Sequence, residues 1–310
     1  METAESSSDP HPAEGLSSVV DFVRWGASRF TRAGLHFGHG TDNAVDEALL
    51  LVAHELGLSL PLPPEFFSAR LTSVEKGRVT RLLERRVAER RPAAYLIGEA
   101  WFAGLSFAVD ERVLVPRSPI AELVEARFEP WIDPDRIIRV LDLCTGSGCI
   151  GIACAHYLPH ARVDLTDISE DALAVADTNI RRHHLEDRVR SIRSDVYDAL
   201  DEELYDVIVS NPPYVAREEF ELLPEEFLHE PEIGLLAADA GLAVVKRIVE
   251  GAAKRLRPGG ILVVELGSSE LAAAEAFSSL PLSWLEFDRG GAGVFLLTRE
   301  QLATGEGRRE

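Results

Sequence analysis

Four consecutive residues, Asn211-Pro212-Pro213-Tyr214, join a side-chain amide, a rigid backbone and an aromatic ring. An amide carries two donors and an acceptor, so Asn211 can grip a planar NH2 group while Tyr214 covers it. Proline lacks the N–H that a sheet ladder needs, and Pro212 biases Asn211 toward extended geometry. The apolar run Tyr205-Asp206-Val207-Ile208-Val209 just before them reads as a buried strand that must stop there. The chemistry implied is presentation of an amino or amide nitrogen to an electrophile. Asn211, Pro212, Pro213 and Tyr214 are the candidate catalytic residues.

A second constellation lies upstream, in Asp142-Leu143-Cys144-Thr145-Gly146-Ser147-Gly148-Cys149-Ile150. It reads as a strand running into a turn and then a helix, with Gly146 and Gly148 letting the backbone pass close beneath a ligand. Gly-x-Gly alone equally fits a structural turn. The following strand ends at Asp167, where a carboxylate can take both hydroxyls of a ribose. The strand after that ends at Ser194-Asp195, placed to accept from an adenine amino group. Acidic residues at three successive strand ends suit a cofactor without phosphates and with a cationic sulfonium. S-adenosyl-L-methionine is therefore expected over NAD. Asp142, Cys144, Thr145, Gly146, Ser147, Gly148, Asp167, Asp195 and Asn211 are the candidate cofactor-binding residues, and no metal set is expected.

The elements that must hold these groups follow from periodicity. From residue 136 strand and helix alternate, the mark of a parallel doubly wound sheet. Strands are expected over 137–143, 161–166, 189–193, 205–210 and 260–266, with helices between them. Segments 283–288 and 293–297 flank Gly290-Gly291 and form a hairpin, so one edge strand runs antiparallel. Upstream, apolar spacing predicts helices from about 16 to 30, 43 to 56 and 72 to 91, the last opened by a Thr72/Glu75 capping box. A β-hairpin is expected over 101–109 around Gly104, and Ser118-Pro119 opens a helix running to about 128. This divides the chain into a disordered leader (1–15), a helical substrate-recognition domain (16–99), a β-hairpin connector (100–117), a catalytic domain (118–302) and a C-terminal tail (303–310).

Composition narrows the function. The 310 residues are 46% hydrophobic, with 32 Lys and Arg against 52 Asp and Glu, a formal charge of −20. Phosphate contacts dominate nucleic-acid affinity, so a DNA-binding function is disfavoured, and long-range steering favours basic partners. The three cysteines, Cys144, Cys149 and Cys154, match neither a disulfide framework nor a zinc pattern. The N-terminal residues show no basic region followed by an apolar one, and no apolar run is long enough to span a bilayer. A cytoplasmic location is expected. Two charged stretches stand out. Arg78, Arg81 and Arg85 share one face of the third helix, either a solvated face or an RNA contact. After Tyr214 come Glu218, Glu219, Glu221, Glu225, Glu226, Glu230 and Glu232, either a solvated lid or a strip that steers a basic substrate.

Residues 142–150, Asp167, Asp195 and Asn211-Pro212-Pro213-Tyr214 resemble class I methyltransferases. Over about 21–301 the chain is most similar to the N(5)-glutamine methyltransferases that modify translation proteins. That resemblance implies a Rossmann-like, mostly parallel seven-stranded sheet, S-adenosyl-L-methionine as cofactor, and a glutamine amide held by Asn211 through Tyr214. Gly38-His39-Gly40-Thr41-Asp42-Asn43, residues 110–119 and Trp284-Leu285-Glu286-Phe287-Asp288 resemble the branch that methylates ribosomal protein three of the large subunit. The partner implied is that basic protein, free or in an assembly intermediate. The branch acting on the Gly-Gly-Gln loop of release factors carries Arg-Pro-Asp-Thr-Glu where this chain has Arg117-Ser118-Pro119-Ile120-Ala121. Adenine amino-methyltransferases of DNA share the tetrapeptide, and a non-catalytic ribosome-binding module is the third alternative.

Overall fold

The computed structural model describes residue 13 and residues 15–306. Most of the leader expected over 1–15, and residues 307–310 of the expected tail, lie outside the described residues. The chain divides into two compact units, Met1–Ile97 and Gly98–Glu310.

The first unit is helical. Helix α1 (Val19–Arg32) and helix α3 (Ser73–Glu89) each open with a capping box, Ser18 with Asp21 and Thr72 with Glu75. Between them, α2 (Ala44–Glu55) is capped by Asn43, whose side chain accepts from the amides of Val45 and Asp46. Helix α4 (Ala93–Ile97) ends the unit. Their apolar faces meet in a core containing Phe22, Phe30, Leu51 and Leu83. One charged pair is sealed inside: Arg86 Nε donates to Glu47 Oε1 at 2.7 Å, with side chains 0% and 1% exposed.

Two further cations of α3 have carboxylate partners, on its exposed side. Arg78 pairs with Glu55 at 3.2 Å and Arg85 with Glu89 at 2.9 Å. Arg90 donates to the carbonyls of Ala33 and Gly34 near the end of α1.

The second unit begins with the hairpin β1 (Glu99–Phe102) and β2 (Leu105–Ala108), which turns on Ala103 and Gly104, both at positive φ. Helix α5 (Ile120–Glu125) is shorter than its apolar pattern predicted, because Arg127 and Phe128 both adopt left-handed φ. Then come β3 (Arg139–Leu143), α6 (Cys149–Tyr157), β4 (Arg162–Asp167), α7 (Glu170–Arg182), β5 (Val189–Arg193) and β6 (Tyr205–Ser210). Two short helices, α8 (Arg217–Phe220) and α9 (Glu232–Leu235), precede α10 (Ala243–Arg255), β7 (Leu256–Glu265), α11 (Glu270–Ala276), β8 (Ser283–Trp284) and β9 (Val294–Thr298). The last helix, α12 (Arg299–Glu306), carries ordered structure into the segment expected as a tail.

The seven-stranded sheet has the order β5-β4-β3-β6-β7-β9-β8. Its first five strands run parallel; β9 pairs antiparallel with both β7 and β8. The chain winds outward from β3 to β5, then returns to the other side of β3 with β6. Strand order therefore reverses between β3 and β6, and a crevice opens at the carboxyl ends of such neighbours. Both strands are buried along nearly their whole length, which is why their sequences read as continuous apolar runs and not as alternations.

Candidate active site

The crevice is formed where β3 and β6 end. Leu143 and Ser210 face each other across the ladder, and the Ser210 hydroxyl donates to the Leu143 carbonyl at 2.8 Å. Beyond Leu143 the chain turns sharply: Cys144 has φ +57° and Gly146 φ +56°. A left-handed backbone costs a non-glycine residue roughly 1–2 kcal/mol, so Cys144 is held there by its surroundings. Thr145 N–H donates to Thr166 O at 2.9 Å, locking the turn to β4.

Carboxylates brace this turn from behind. Asp142 is completely buried, and its Oδ2 accepts from the Thr145 hydroxyl at 2.5 Å and from Gly151 N–H at 2.9 Å. Its Oδ1 has no partner among the described residues. Burial pushes this carboxyl up to about 7, against the two hydrogen bonds. Asp167 accepts from Gly146 N–H and from Ser169 N–H, each at 2.9 Å, and burial raises it as well. Asn179 of α7 ties the hairpin to the same wall. Its amide donates to Ser147 O at 2.9 Å and Ala108 O at 3.0 Å, and its Oδ1 accepts from Ala108 N–H.

On the opposite side, β6 gives way to Asn211-Pro212-Pro213-Tyr214. The tyrosine is seated by two glycines. A Cβ at Gly241 would collide with the Tyr214 carbonyl, and one at Gly267 would lie 2.6 to 2.9 Å from three atoms at the edge of its ring. Ser269 donates its hydroxyl to the Tyr214 carbonyl at 3.1 Å, and burial pushes the phenol well above its usual range.

Glu265, the last residue of β7, lies behind this corner and is 6% exposed. Its carboxylate accepts from the Ser118 hydroxyl at 2.5 Å and the Tyr214 hydroxyl at 3.4 Å. Burial raises the carboxyl, while Ser118 and the nearby Arg117 oppose the rise. Arg117 makes a bidentate pair with buried Glu230, at 2.5 and 2.8 Å, and Glu230 also accepts from Val115 N–H. The loop after Tyr214 is thereby fastened to the segment preceding α5.

One cleft unites these parts. It is lined by residues 114–118, by Cys144, Thr145, Gly146, Ser147, Cys149 and Ile150, by Asn211, Tyr214 and Val215, and by Gly234, Leu235 and Glu265. Six sequence-predicted residues therefore share it: Cys144, Thr145, Gly146, Ser147, Asn211 and Tyr214. Asp142 and Gly148 lie behind its wall, where Gly148 packs closely against Ile152, Leu165 and Ala176. Asp167 braces the turn, Pro212 and Pro213 shape the corner, and Asp195 pairs with Arg247 at 2.7 Å, each side chain 45% exposed.

The acidic strip divides. Glu226 and Glu230 are buried and Glu232 pairs with Arg217 at 3.5 Å, whereas Glu218, Glu219, Glu221 and Glu225 face outward. Sequence reasoning missed Glu265, Ser118, Asn179 and the Arg117–Glu230 pair. Glu265 did carry a signal, since an acid closing an apolar strand is the feature that singled out Asp167.

The cleft fits a cationic cofactor free of phosphate. Space beside Gly146 is open, with nothing within 4 Å of where a Cβ would stand. The charged side chain lining it besides Glu265 is Arg117, which is already paired.

Comparison with known proteins agrees. The family described as the methyltransferase small domain matches residues 131–238. The ribosomal protein uL3 glutamine methyltransferase of Xanthomonas campestris pv. campestris is 51% identical over 290 residues, 94% of either chain. The protein of that name from Neisseria meningitidis serogroup B is 48% identical, over 94% of this chain and 96% of its own. That of Francisella tularensis subsp. tularensis is 45% identical, over 93% and 92%.

Proposed function

Because the chain belongs to the family of ribosomal protein uL3 glutamine methyltransferases, we propose that it methylates the side-chain amide nitrogen of a glutamine in uL3, using S-adenosyl-L-methionine. The observation that carries this reading is the single cleft that joins the turn after β3 to the Asn-Pro-Pro-Tyr corner after β6. Bound S-adenosyl-L-methionine supplies an electrophilic methyl group on a sulfonium. Cys144 through Ser147 form the wall that holds it. Asp167 would take the ribose hydroxyls through lone pairs left over from its two backbone bonds, and Asp195 would accept from the adenine amino group. Asp142 and Gly148 support the wall from behind.

An amide nitrogen is a weak nucleophile, because its lone pair is delocalised into the carbonyl. Positioning is therefore the main contribution of the protein. Asn211 Oδ1 and the Pro212 carbonyl accept the two N–H groups of the glutamine and fix the direction of its nitrogen, while Pro213 stiffens the corner. Tyr214 stacks over the amide and excludes water. Alignment of this kind supplies on the order of 7 kcal/mol or more in favourable cases. No strong base has to act first, since the nitrogen becomes acidic only as its new bond forms.

The helical unit 16–97 serves substrate recognition in this reading, and the outward glutamates Glu218, Glu219, Glu221 and Glu225 steer the basic substrate. Ribosomal proteins are made in the cytoplasm, where this activity belongs; no helix among the described residues is long and apolar enough to cross a membrane. The test is incubation with methyl-labelled S-adenosyl-L-methionine and, separately, uL3, a peptide release factor or adenine-containing DNA, followed by mass spectrometry. Label on a uL3 glutamine side chain is expected, and Asn211→Ala should abolish it. Label confined to the release factor or the DNA would overturn the assignment.

A further inference from the structure

Arg117 brings a cation to the wall of a cleft that is to hold a cationic cofactor. It is the one cation among the described residues lining that cleft. Its side chain is 27% exposed, while Glu230, which answers it, is enclosed at 0%. The two meet in a fork, Nη1 donating to Oε1 at 2.5 Å and Nη2 to Oε2 at 2.8 Å. Bidentate pairing of this kind fixes direction as well as charge. Further contacts hold the pair in place. Val115 N–H donates to Glu230 Oε1 at 2.9 Å, Arg117 Nη1 reaches the Val115 carbonyl at 3.2 Å, and the guanidinium lies over the Phe227 ring at 5.4 Å. Nearby, Leu114 packs on Gly234, where an added Cβ would stand 3.1 Å from Leu114 Cγ. Both of these residues line the cleft, so the ion pair fastens together two parts of its wall.

Fastening by an arginine has an electrostatic consequence. A guanidinium does not lose its proton in proteins, and S-adenosyl-L-methionine carries a positive charge on sulfur. Loss of the methyl group leaves S-adenosyl-L-homocysteine, a neutral thioether of nearly the same shape. A cleft wall with an unanswered cation would therefore discriminate against the cofactor and in favour of the spent product. We propose that Glu230 is a specificity-determining residue for the cofactor: by cancelling the charge of Arg117 it lets the cleft accept a sulfonium. The arginine supplies the fork that ties the wall together, and the enclosed carboxylate removes the field that this fork would otherwise set up. This inference rests on S-adenosyl-L-methionine occupying the cleft, as proposed above.

The test is calorimetric binding of S-adenosyl-L-methionine and S-adenosyl-L-homocysteine to wild type, Glu230→Gln, Arg117→Met and the double variant, each checked for folding by urea denaturation. The quantity read is the ratio of the two Kd values, cofactor over product. Glutamine keeps the shape of glutamate and an acceptor for Val115 N–H and Arg117, so Glu230→Gln removes charge. Like charges sharing a partly screened cleft change affinity on the order of 10-fold, and the ratio should rise by about that factor. Arg117→Met removes the cation and leaves the carboxylate, so the ratio should fall below that of wild type. The double variant should return to the wild-type ratio. A role confined to fastening the wall would weaken both ligands equally, because they differ in charge and hardly in shape. An unmoved ratio in a folded single variant, or a ratio that moves the same way in both, would overturn the proposal. Should one single variant fail to fold, the direction of the ratio in the other decides. Wild type binding neither ligand would instead strike the cofactor assignment, and this inference with it.

Discussion

Gly267→Ala displaces the Tyr214 ring without replacing any polar side chain of the cleft. Gly267 has φ +49°, and an added Cβ would stand 2.6 Å from Cε2, 2.8 Å from Cζ and 2.9 Å from Oη of Tyr214. Ordinary carbon contacts begin near 3.4 Å, so the ring edge must retreat by roughly 0.8 Å, the gap between that and the closest contact. The backbone cannot absorb the move, because Gly241 is packed against the Tyr214 carbonyl. Forcing alanine into a left-handed conformation costs roughly 1–2 kcal/mol, and overpacking typically adds about 1–3 kcal/mol. A misplacement of about 1 Å can cost on the order of 10²-fold in rate. The variant should therefore remain folded with a lowered urea midpoint, bind cofactor normally and lose kcat by roughly that factor. Gly290→Ala is the control: it has φ +87° with open space around it, so it bears the backbone cost alone and should retain full turnover. A folded Gly267→Ala protein with kcat within threefold of wild type would refute the view that Tyr214 must lie where it does.

Two further predictions concern buried charge. Arg86→Met leaves Glu47 sealed without its 2.7 Å partner and should cost about 3–5 kcal/mol in the urea transition of the helical unit. Replacing both by apolar residues should recover most of that loss. Asp142 is raised from 3.8 to about 7 by burial, so the folded chain holds its proton more tightly than the unfolded chain. That contribution is fully present below about pH 4 and is lost as pH rises through about 7. Asp142→Asn, whose oxygen can still accept from Thr145 and Gly151, should gain stability relative to wild type more at pH 8.5 than at pH 5. Equal differences at both pH values in denaturant titrations would count against it.

The elements were legible wherever local physics decides them. Apolar runs bounded by turn residues located the buried strands, and the Thr72/Glu75 capping box opened α3 as its spacing required. Asn211 could be placed because two prolines end any strand. What escaped were partnerships across long separations. Ser118 meets Glu265 147 residues away, and Arg117 meets Glu230 at a separation of 113. Nothing in the spacing of either pair signals the meeting. Charge was misleading for the same reason: the glutamates after Tyr214 and the arginines of α3 look alike along the chain, and only packing separates Glu226, Glu230 and Arg86, which are buried, from neighbours left in solvent.

The preference for a phosphate-free cofactor can now be argued from hydrogen bonds as well as from charge. A dinucleotide site uses the amides of its glycine turn and the start of the following helix to hold a pyrophosphate. Here three glycine amides already have partners within the fold. Gly146 N–H donates to Asp167, Gly148 N–H to the Thr145 carbonyl, and Gly151 N–H to Asp142. Two of those acceptors are carboxylates, so a phosphate entering the turn would meet negative charge in place of free donors. Asp142 and Asp167 thus hold the turn closed against phosphate. Neutralising Asp167 with Asp167→Asn should weaken cofactor binding, because it removes charge and gives the Gly146 amide a poorer acceptor.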